Sequence, residues 1–416
     1  MASARVTVCL ATAGILLAGC GSSLTMDLGS GSNDRSVSPS SVATPSTSPT
    51  PPAPVAPPQI QNLQVSVRGH GELTPGKTLA AGSKLKVNAV PLGSIIELTR
   101  LSDTGTPENS ASERVLTDKW TSPSLAPAKT YRLGVQAPDG SSILTSFNTK
   151  DVTDRSSVTI TPDKGSYGVG MPIIIEFPAP VKSRADVQAA LSVETSQDIG
   201  PASWYWPDSD TVMFRPRDFW PARTKITVNA NLASVQVYEG SWGSDQSISF
   251  KTGPSVIMKE SLTKYKLVYF KDGKKVETFP ISGGMPGWET LNGIKIVHES
   301  YEVKRMVNNA PGAHYDVMVP YAMRLTYSGE FMHAAPWNGN IGYANTSHGC
   351  TNMTYDDAVW MYNHTEFGDV VITKGGAGGS MSFGDGLGGV WDVPWKDWIA
   401  GSALPVDDST TTISGG

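Results

Sequence analysis

From Leu63 to about Thr149, apolar and polar residues alternate in short runs separated by turn residues, as in Leu63-Gln64-Val65-Ser66-Val67 and Leu85-Lys86-Val87. A period of two puts every second side chain on one face, which marks a half-buried strand. Residues 151 to about 253 keep that style, with Ile173-Ile174-Ile175, Lys225-Ile226-Thr227-Val228 and Ser247-Ile248-Ser249-Phe250. Short strands at even spacing, with almost no helical periodicity, predict two immunoglobulin-like β-sandwich modules, over 63–150 and 151–253. Neither holds a recognisable catalytic cluster, so both read as spacer or docking modules.

The pattern changes over 254–375. Leu267-Val268-Tyr269-Phe270 runs into Asp272-Gly273 and returns from Val276 to Ile281, which predicts a hairpin. A second hairpin turning at Ser328-Gly329 delivers Phe331-Met332-His333. One helix follows: Thr354 caps it, Asp356 and Asp357 suit its first turn, and Gly368 stops it. This unit reads as a mixed β domain with one principal helix, which makes the whole chain mainly β. Beyond it, 376–416 is glycine-rich and then carries Trp391, Trp395 and Trp398, a strap expected to pack back onto that domain. The glycine run contains no GxxxxGK[ST], so phosphate binding is not supported.

The N-terminal stretch bears on where the chain works. Arg5 followed by apolar Val6 to Ala18 reads as an export signal over 1–20, shorter than the about 20 apolar residues that span a bilayer. It ends in Leu17-Ala18-Gly19-Cys20, which resembles the bacterial lipobox, whose cysteine is lipidated and becomes the mature N-terminus. An ordinary signal peptide cleaved near Ala18 is the alternative. Residues 21–62 are Ser, Thr, Pro and Ala for the most part, with no charge from Ser36 to Pro58. Such a segment buries no core and acts as a tether reaching about 130 Å when extended. The formal net charge of −5 implies no basic surface large enough for nucleic acid. Of the three cysteines, Cys9 leaves with the signal and Cys20 would be blocked as a thioether, so Cys350 is the remaining thiol. A solitary thiol in an oxidising compartment is a liability unless it is buried or used.

The neighbours of Cys350 point to use. His333-Ala334-Ala335-Pro336-Trp337 is followed by Thr346-Ser347-His348-Gly349-Cys350-Thr351-Asn352. A histidine, a spacer and then Ser/Thr-His-Gly-Cys-x-Asn resembles the active-site signature of the L,D-transpeptidase (YkuD-type) family. The resemblance extends through 254–375 and the tryptophan tail. The two Ig-like modules and the Trp391-Asp392-Val393-Pro394-Trp395 tail look like the mycobacterial and related actinobacterial branch, and the lipobox and proline-rich arm like its lipoprotein members. The resemblance implies a peptidoglycan enzyme with no cofactor and no metal. Its donor would be a tetrapeptide stem, cleaved after the diamino acid with loss of D-Ala through a thioester on Cys350. A second stem's side-chain amine would then complete a 3-3 cross-link; water in its place would make an L,D-carboxypeptidase. The implied partners are stem peptides, the membrane through a lipid on Cys20, and carbapenem β-lactams as inhibitors. The implied location is the outer face of the cell membrane, toward the wall.

Acyl transfer needs a nucleophile, a base and a site for the oxyanion. Thiolate is the reactive form, and a free cysteine has a pKa of about 8.5, so Cys350 needs help. The resemblance makes His333 the base, and the helix near Thr354 adds a positive dipole end. Gly349 lets its own N–H and that of Cys350 approach a carbonyl as an oxyanion hole. His348 is a secondary catalytic member or a loop histidine held by hydrogen bonds. By the same resemblance Tyr315 falls in a lid, Ser328 and Gly329 in the turn before the base, and Ser347 and Asn352 at substrate-contacting positions, Asn352 through its amide. Trp337 and Tyr321 wall the cleft or pack, and Met306 packs. One departure stands out: many relatives follow the base with Ser, whereas here Ala334 follows His333, leaving a backbone carbonyl as its support. His70, His298, His314 and His364 read as structural or surface residues.

Three rivals compete. A zinc peptidase could use His333, His348 and Cys350 as ligands, yet His-Glu-x-x-His is absent. A penicillin-binding serine enzyme could use Ser261-Leu262-Thr263-Lys264 and Lys251-Thr252-Gly253, but their order is reversed and no S-x-N lies between. A non-catalytic wall-binding protein leaves the Cys350 and His333 pair unexplained.

Overall fold

The computed structural model describes residues 64–67, 71–309 and 314–406. The export signal, Cys20, the tether and His70 lie outside the described residues. The first module has two sheets. Gly71–Glu72, Gln64–Val67, Leu85–Asn88 and Lys119–Thr121 form one, in that spatial order. Thr78–Leu79, Ser142–Thr149, Thr130–Gln136, Ile95–Leu101 and Pro107–Arg114 form the other. Alternation does what the pattern predicts: Leu85 and Val87 point inward, as do Tyr131, Leu133 and Val135, and they close a core with Ile96 and Phe147. The edge strand Pro107–Arg114 is exposed along its whole length and carries polar and charged side chains. That blunts an edge that would otherwise pair with another chain.

The second module also stacks two four-stranded sheets, one built around Ile173–Glu176 and Thr211–Pro216, the other around Lys225–Asn231 and Asp245–Thr252. Its core does not stop at the module. Ile296 and Val370 of the third unit join it, and so do Leu387, Val390, Trp391 and Trp398 of the tail. The tail does lie back on the third unit, with Asp392 Oδ2 accepting the Ile294 N–H at 2.9 Å and the Met381 N–H donating to the Asn292 carbonyl at 2.7 Å, and its tryptophans reach further, into the second module. The reason is a buried cation. Arg215, 2% exposed, lies 5.0, 5.4 and 4.5 Å from the rings of Trp391, Trp395 and Trp398 and donates to the Val393 carbonyl at 2.9 Å. Aromatic faces attract a guanidinium where water is excluded. Burial lowers its pKa to about 10. The tail is not a bare strap, since it folds into short helices at Gly389–Asp392 and Trp395–Ala400.

The third unit has two sheets. Lys274–Pro280, Lys266–Lys271, Val256–Ser261, Val370–Lys374 and Gly293–Ile296 form the first, and the turn of its hairpin holds Asp272 and Gly273 at φ +50° and +74°. Glu299–Asn308, Tyr315–Arg324, Phe331–Ala334 and Thr351–Met353 form the second. The helix Tyr355–Asn363 starts as expected, with Thr354 Oγ1 accepting the Asp357 N–H at 3.3 Å. It ends earlier than expected, at Asn363, so Gly368 is not its stop signal. Gly368 instead meets Gly168 of the second module, where a Cβ on Gly168 would sit 2.1 Å from the Asp369 nitrogen. Only glycine permits that backbone approach.

Candidate active site

Two neighbouring parallel strands build the site. Phe331–Ala334 and Thr351–Met353 run side by side with His333 opposite Asn352, and every residue of both is buried. Residues in register share a face. The two polar side chains therefore meet, and Asn352 Nδ2 donates to His333 Nε2 at 3.1 Å. His333 Nδ1 donates to the Ala334 carbonyl at 2.8 Å, the backbone support that the missing serine leaves. On the far side, Ser282 exchanges backbone hydrogen bonds with Asn352 at 2.8 and 3.0 Å.

Cys350 enters its strand from a tight turn. Ser347 Oγ donates to the Cys350 carbonyl at 2.5 Å and accepts the Gly349 N–H at 3.2 Å. Gly349 stands at φ +107°, and the nearest atoms to a Cβ placed there are 3.8 Å away. Glycine is required by the backbone conformation here, not by lack of room. Two expectations change as a result. The Gly349 N–H is spent inside the turn, which leaves the Cys350 N–H as the candidate oxyanion donor. The Ser347 hydroxyl shapes the turn instead of reaching out to a ligand.

A cleft of about 530 Å³ opens over Cys350. Met306, Tyr315, Val317 and Val319 of the hairpin Glu299–Asn308/Tyr315–Arg324 form one wall. His333, Trp337, Asn338 and Asn340 form another, and Thr346, Ser347, His348, Cys350 and Asn352 complete it. The His348 ring sits between Trp288 and Tyr315, with ring centroids 5.4 Å from each. Trp337 is 56% exposed with its ring 6.4 Å from His333, so it forms the mouth. A larger cavity of about 740 Å³ between the two Ig-like modules is lined by Lys84, Arg100, Lys182 and Trp242 among others, far from this chemistry.

Ser328 and Gly329 do not line this cleft, and of the two only Gly329 reaches Cys350. Ser328 is exposed and shares a hydrogen bond of 2.9 Å with Thr326, while the Gly329 carbonyl faces Cys350 Sγ at 3.8 Å. Tyr321 does not wall the cleft: it packs against Tyr355 and Tyr362 at 5.6 and 5.5 Å. His298 and His364 are tied to the carbonyls of Ile296 and Trp360. His314 is exposed beside Tyr315. The residues that sequence reading passed over are Asn338, Asn340, Thr346, Val317, Val319 and Trp288. The first two follow Trp337 in a polar loop whose only signal was its place between base and nucleophile.

Burial sets the protonation states. It raises the Cys350 thiol to about 11, against a backbone hydrogen bond from Phe331 that lowers it. It lowers His333 to about 4, against the hydrogen bond to Ala334 that raises it. Desolvation disfavours either charge, so the resting pair at neutral pH is thiol and imidazole. The expected activation by the helix dipole is outweighed, because the helix begins at Tyr355, a whole strand beyond Cys350. Behind the turn, Lys295 and Glu330 form a buried ion pair of 2.5 Å whose opposite influences on Cys350 offset each other. The zinc reading meets a chemical obstacle, since the His333 nitrogen facing the cleft already accepts from an amide that a metal would have to displace.

The frame is mainly β, with His333 on one strand and Cys350 immediately before its parallel neighbour, and comparison with known proteins identifies the kind. A model described as the L,D-transpeptidase catalytic domain (YkuD) matches residues 256–373, and one described as a bacterial Ig domain matches 84–236. L,D-transpeptidase 2 of Mycobacterium tuberculosis (strain CDC 1551 / Oshkosh) is 33% identical over 266 residues, 62% of this chain and 65% of that protein. L,D-transpeptidase 5 of strain ATCC 25618 / H37Rv is 30% identical over 290 residues, 68% of this chain and 58% of that protein. Both matches span less than two thirds of the relative. "Probable L,D-transpeptidase 3" of the latter strain is 30% identical over 246 residues, covering 85% of its length. A solved L,D-transpeptidase from Mycobacterium smegmatis is 28% identical with a TM-score of 0.45, covering 53% of this chain and 100% of that one. This chain belongs to the L,D-transpeptidase family.

Proposed function

We propose that this protein cross-links peptidoglycan by L,D-transpeptidation, forming 3-3 links through a thioester on Cys350. The observation that carries the reading is one cleft holding Cys350, His333 and a wall of apolar and amide side chains suited to a peptide. In the first half-reaction, Cys350 Sγ attacks the carbonyl of the donor's diamino acid as its proton passes to His333 Nε2. The C–N bond to D-Ala breaks, and that proton leaves on the departing amine. In the second, the acceptor's side-chain amine attacks the thioester, gives its proton to His333, and the thiol is released with the proton restored. The Cys350 N–H stabilises the oxyanion in both steps. A carbapenem carbonyl mimics the scissile one, and its strained ring drives acylation of the same sulfur.

The reading is tested by incubating the purified exported portion with stem tetrapeptides and weighing the products. The wild type should release D-Ala and give dimers, while Cys350→Ala gives neither at unchanged circular dichroism. Free tripeptide without dimers would assign the L,D-carboxypeptidase activity, and comparable turnover by Cys350→Ala would discard the thioester. We further infer lipid anchoring at Cys20, supported by Leu17-Ala18-Gly19-Cys20 and the tether that follows it. Cys20→Ala should move the protein from the membrane to the soluble fraction, and continued fractionation with membranes would refute the anchor.

A further inference from the structure

We infer that Asn338 is a positioning residue of the reaction: acting through Asn352, it keeps the Nε2 nitrogen of His333 unprotonated, its lone pair held by the Asn352 amide until that amide yields to a proton. The inference rests on the proposed role of His333, but its geometry is independent of any substrate. A backbone N–H, which can only donate, sets the polarity at one end of the chain. The Asn340 N–H donates to Asn338 Oδ1 at 3.0 Å, and Thr346 Oγ1 donates to the same oxygen at 3.1 Å. Thr346 is itself held by Ser282, whose hydroxyl accepts the Thr346 N–H at 3.1 Å. With its oxygen so occupied, the Asn338 amide has one orientation, and its NH₂ faces Asn352 Oδ1 at 2.9 Å. That fixes Asn352 in turn, so its NH₂ points at His333 Nε2 at 3.1 Å. An NH₂ group can only donate. Nε2 must therefore present its lone pair, and Nδ1 carries the proton that goes to the Ala334 carbonyl at 2.8 Å.

A backbone amide seven residues after the histidine thus dictates the state of its ring through two asparagine side chains. A proton arriving on Nε2 meets the Asn352 NH₂ head-on, so it is accepted only as Asn352 yields. The burial that already disfavours imidazolium acts in the same direction. This also changes the meaning of Asn352. Both ends of its amide are engaged within the protein, so it serves the histidine and not, in this state, a ligand. With Ala334 after the base, the network supplies side-chain support that a hydroxyl there would otherwise give.

The test exchanges the polarity of the chain. In Asn338→Asp the residue still accepts from Asn340 and Thr346, but it presents an acceptor to Asn352. Asn352 then turns its NH₂ toward the carboxylate and its oxygen toward His333, which calls for a proton on Nε2. Histidine ¹⁵N spectra of the full exported portion, with ¹⁵N-histidine incorporated and no substrate present, read this directly. The wild type should show His333 with a proton on Nδ1 alone, and Asn338→Asp should show one on Nε2. Carbapenem acylation of Cys350, followed by intact-protein mass, should slow by about tenfold or more in the variant, since general-base assistance is lost. If Asn338→Asp does not fold, Asn338→Ala serves: the His333 signals should then report a mixture of tautomers. A wild type protonated on Nε2, or variants whose His333 signals match the wild type, would overturn the inference. A residue with a merely structural role would lower the melting temperature and leave those signals in place. A wild type that shows the spectrum but makes no cross-links would count against the proposed function and leave the network standing.

Discussion

The two Ig-like modules look alike in sequence and differ in what completes their cores. Every residue of the first module's core lies between Val65 and Phe147. The second module shares its core with Ile296 and Val370 of the catalytic unit and with the tryptophan tail. Its backbone also touches the third unit directly, with Gly168 N donating to the Phe367 carbonyl at 2.7 Å and Gly170 N to the Gly368 carbonyl at 2.9 Å. One module is an attachment, the other shares a core with the unit that holds Cys350. An apolar surface that is covered in the native state cannot be exposed without cost. "Spacer" therefore describes only the first.

The largest expected effect comes from cutting at the two boundaries. A protein beginning at residue 151 should fold and acylate with a carbapenem at a rate within about twofold of the longer form. One beginning at residue 254 should be insoluble or lack a cooperative melt, because Trp391 and Trp398 lose their pocket. Soluble, active protein from the shorter form would break the comparison. Next comes Trp398→Ala. The side chain is fully buried, donates to the Ser203 carbonyl at 2.9 Å and stacks on Tyr205 at 4.6 Å. The loss should be about 3–5 kcal/mol by chemical denaturation, and Cys350 should become open to alkylation at the same denaturant concentration at which the second module unfolds. Leu133→Ala is the matched control in the first module's core, costing about 2–5 kcal/mol there. It should lower one calorimetric transition and leave the rate of Cys350 acylation unchanged.

How much of this was legible depends on the range of the interactions. Period-two alternation marks the strands because each strand must bury one face whatever its partner. The candidate pair was legible because Ser347-His348-Gly349-Cys350 is contiguous and His333 lies on the adjoining strand. The tail's anchorage in the second module was not legible: Trp391 and Arg215 are 176 positions apart, and nothing local says that a guanidinium waits for an indole. The fate of the Gly349 N–H was hidden for a different reason, since it depends on which way one serine hydroxyl turns. Thiol activation was misjudged because proximity to a helix is visible in sequence, whereas desolvation belongs to the assembled fold.

A further effect sits at the seam between the second module and the third unit, where pH should act. Asp369 is 2% exposed, and its backbone nitrogen faces Gly168. Burial raises its carboxyl to about 8; the Glu366 N–H, donating at 2.8 Å, lowers it, the Glu366 charge raises it, and Lys271 lowers it. The folded state thus holds this proton far more tightly than the unfolded chain, whose value lies near 3.8. A group raised in this way adds stability that is complete below its unfolded pKa and is lost as pH rises toward its folded pKa. Between about pH 4 and pH 8 the contribution of Asp369 should therefore decline. Asp369→Asn removes the titration while keeping an acceptor for Glu366. The melting temperature of the transition shared by the second module and catalytic unit should fall less steeply from pH 5 to pH 8 in the variant, by about 3 °C or more. The first module's transition should have the same pH dependence in both proteins. Parallel curves for the shared transition would show that Asp369 stays ionised at the seam, with its charge met by groups other than those named.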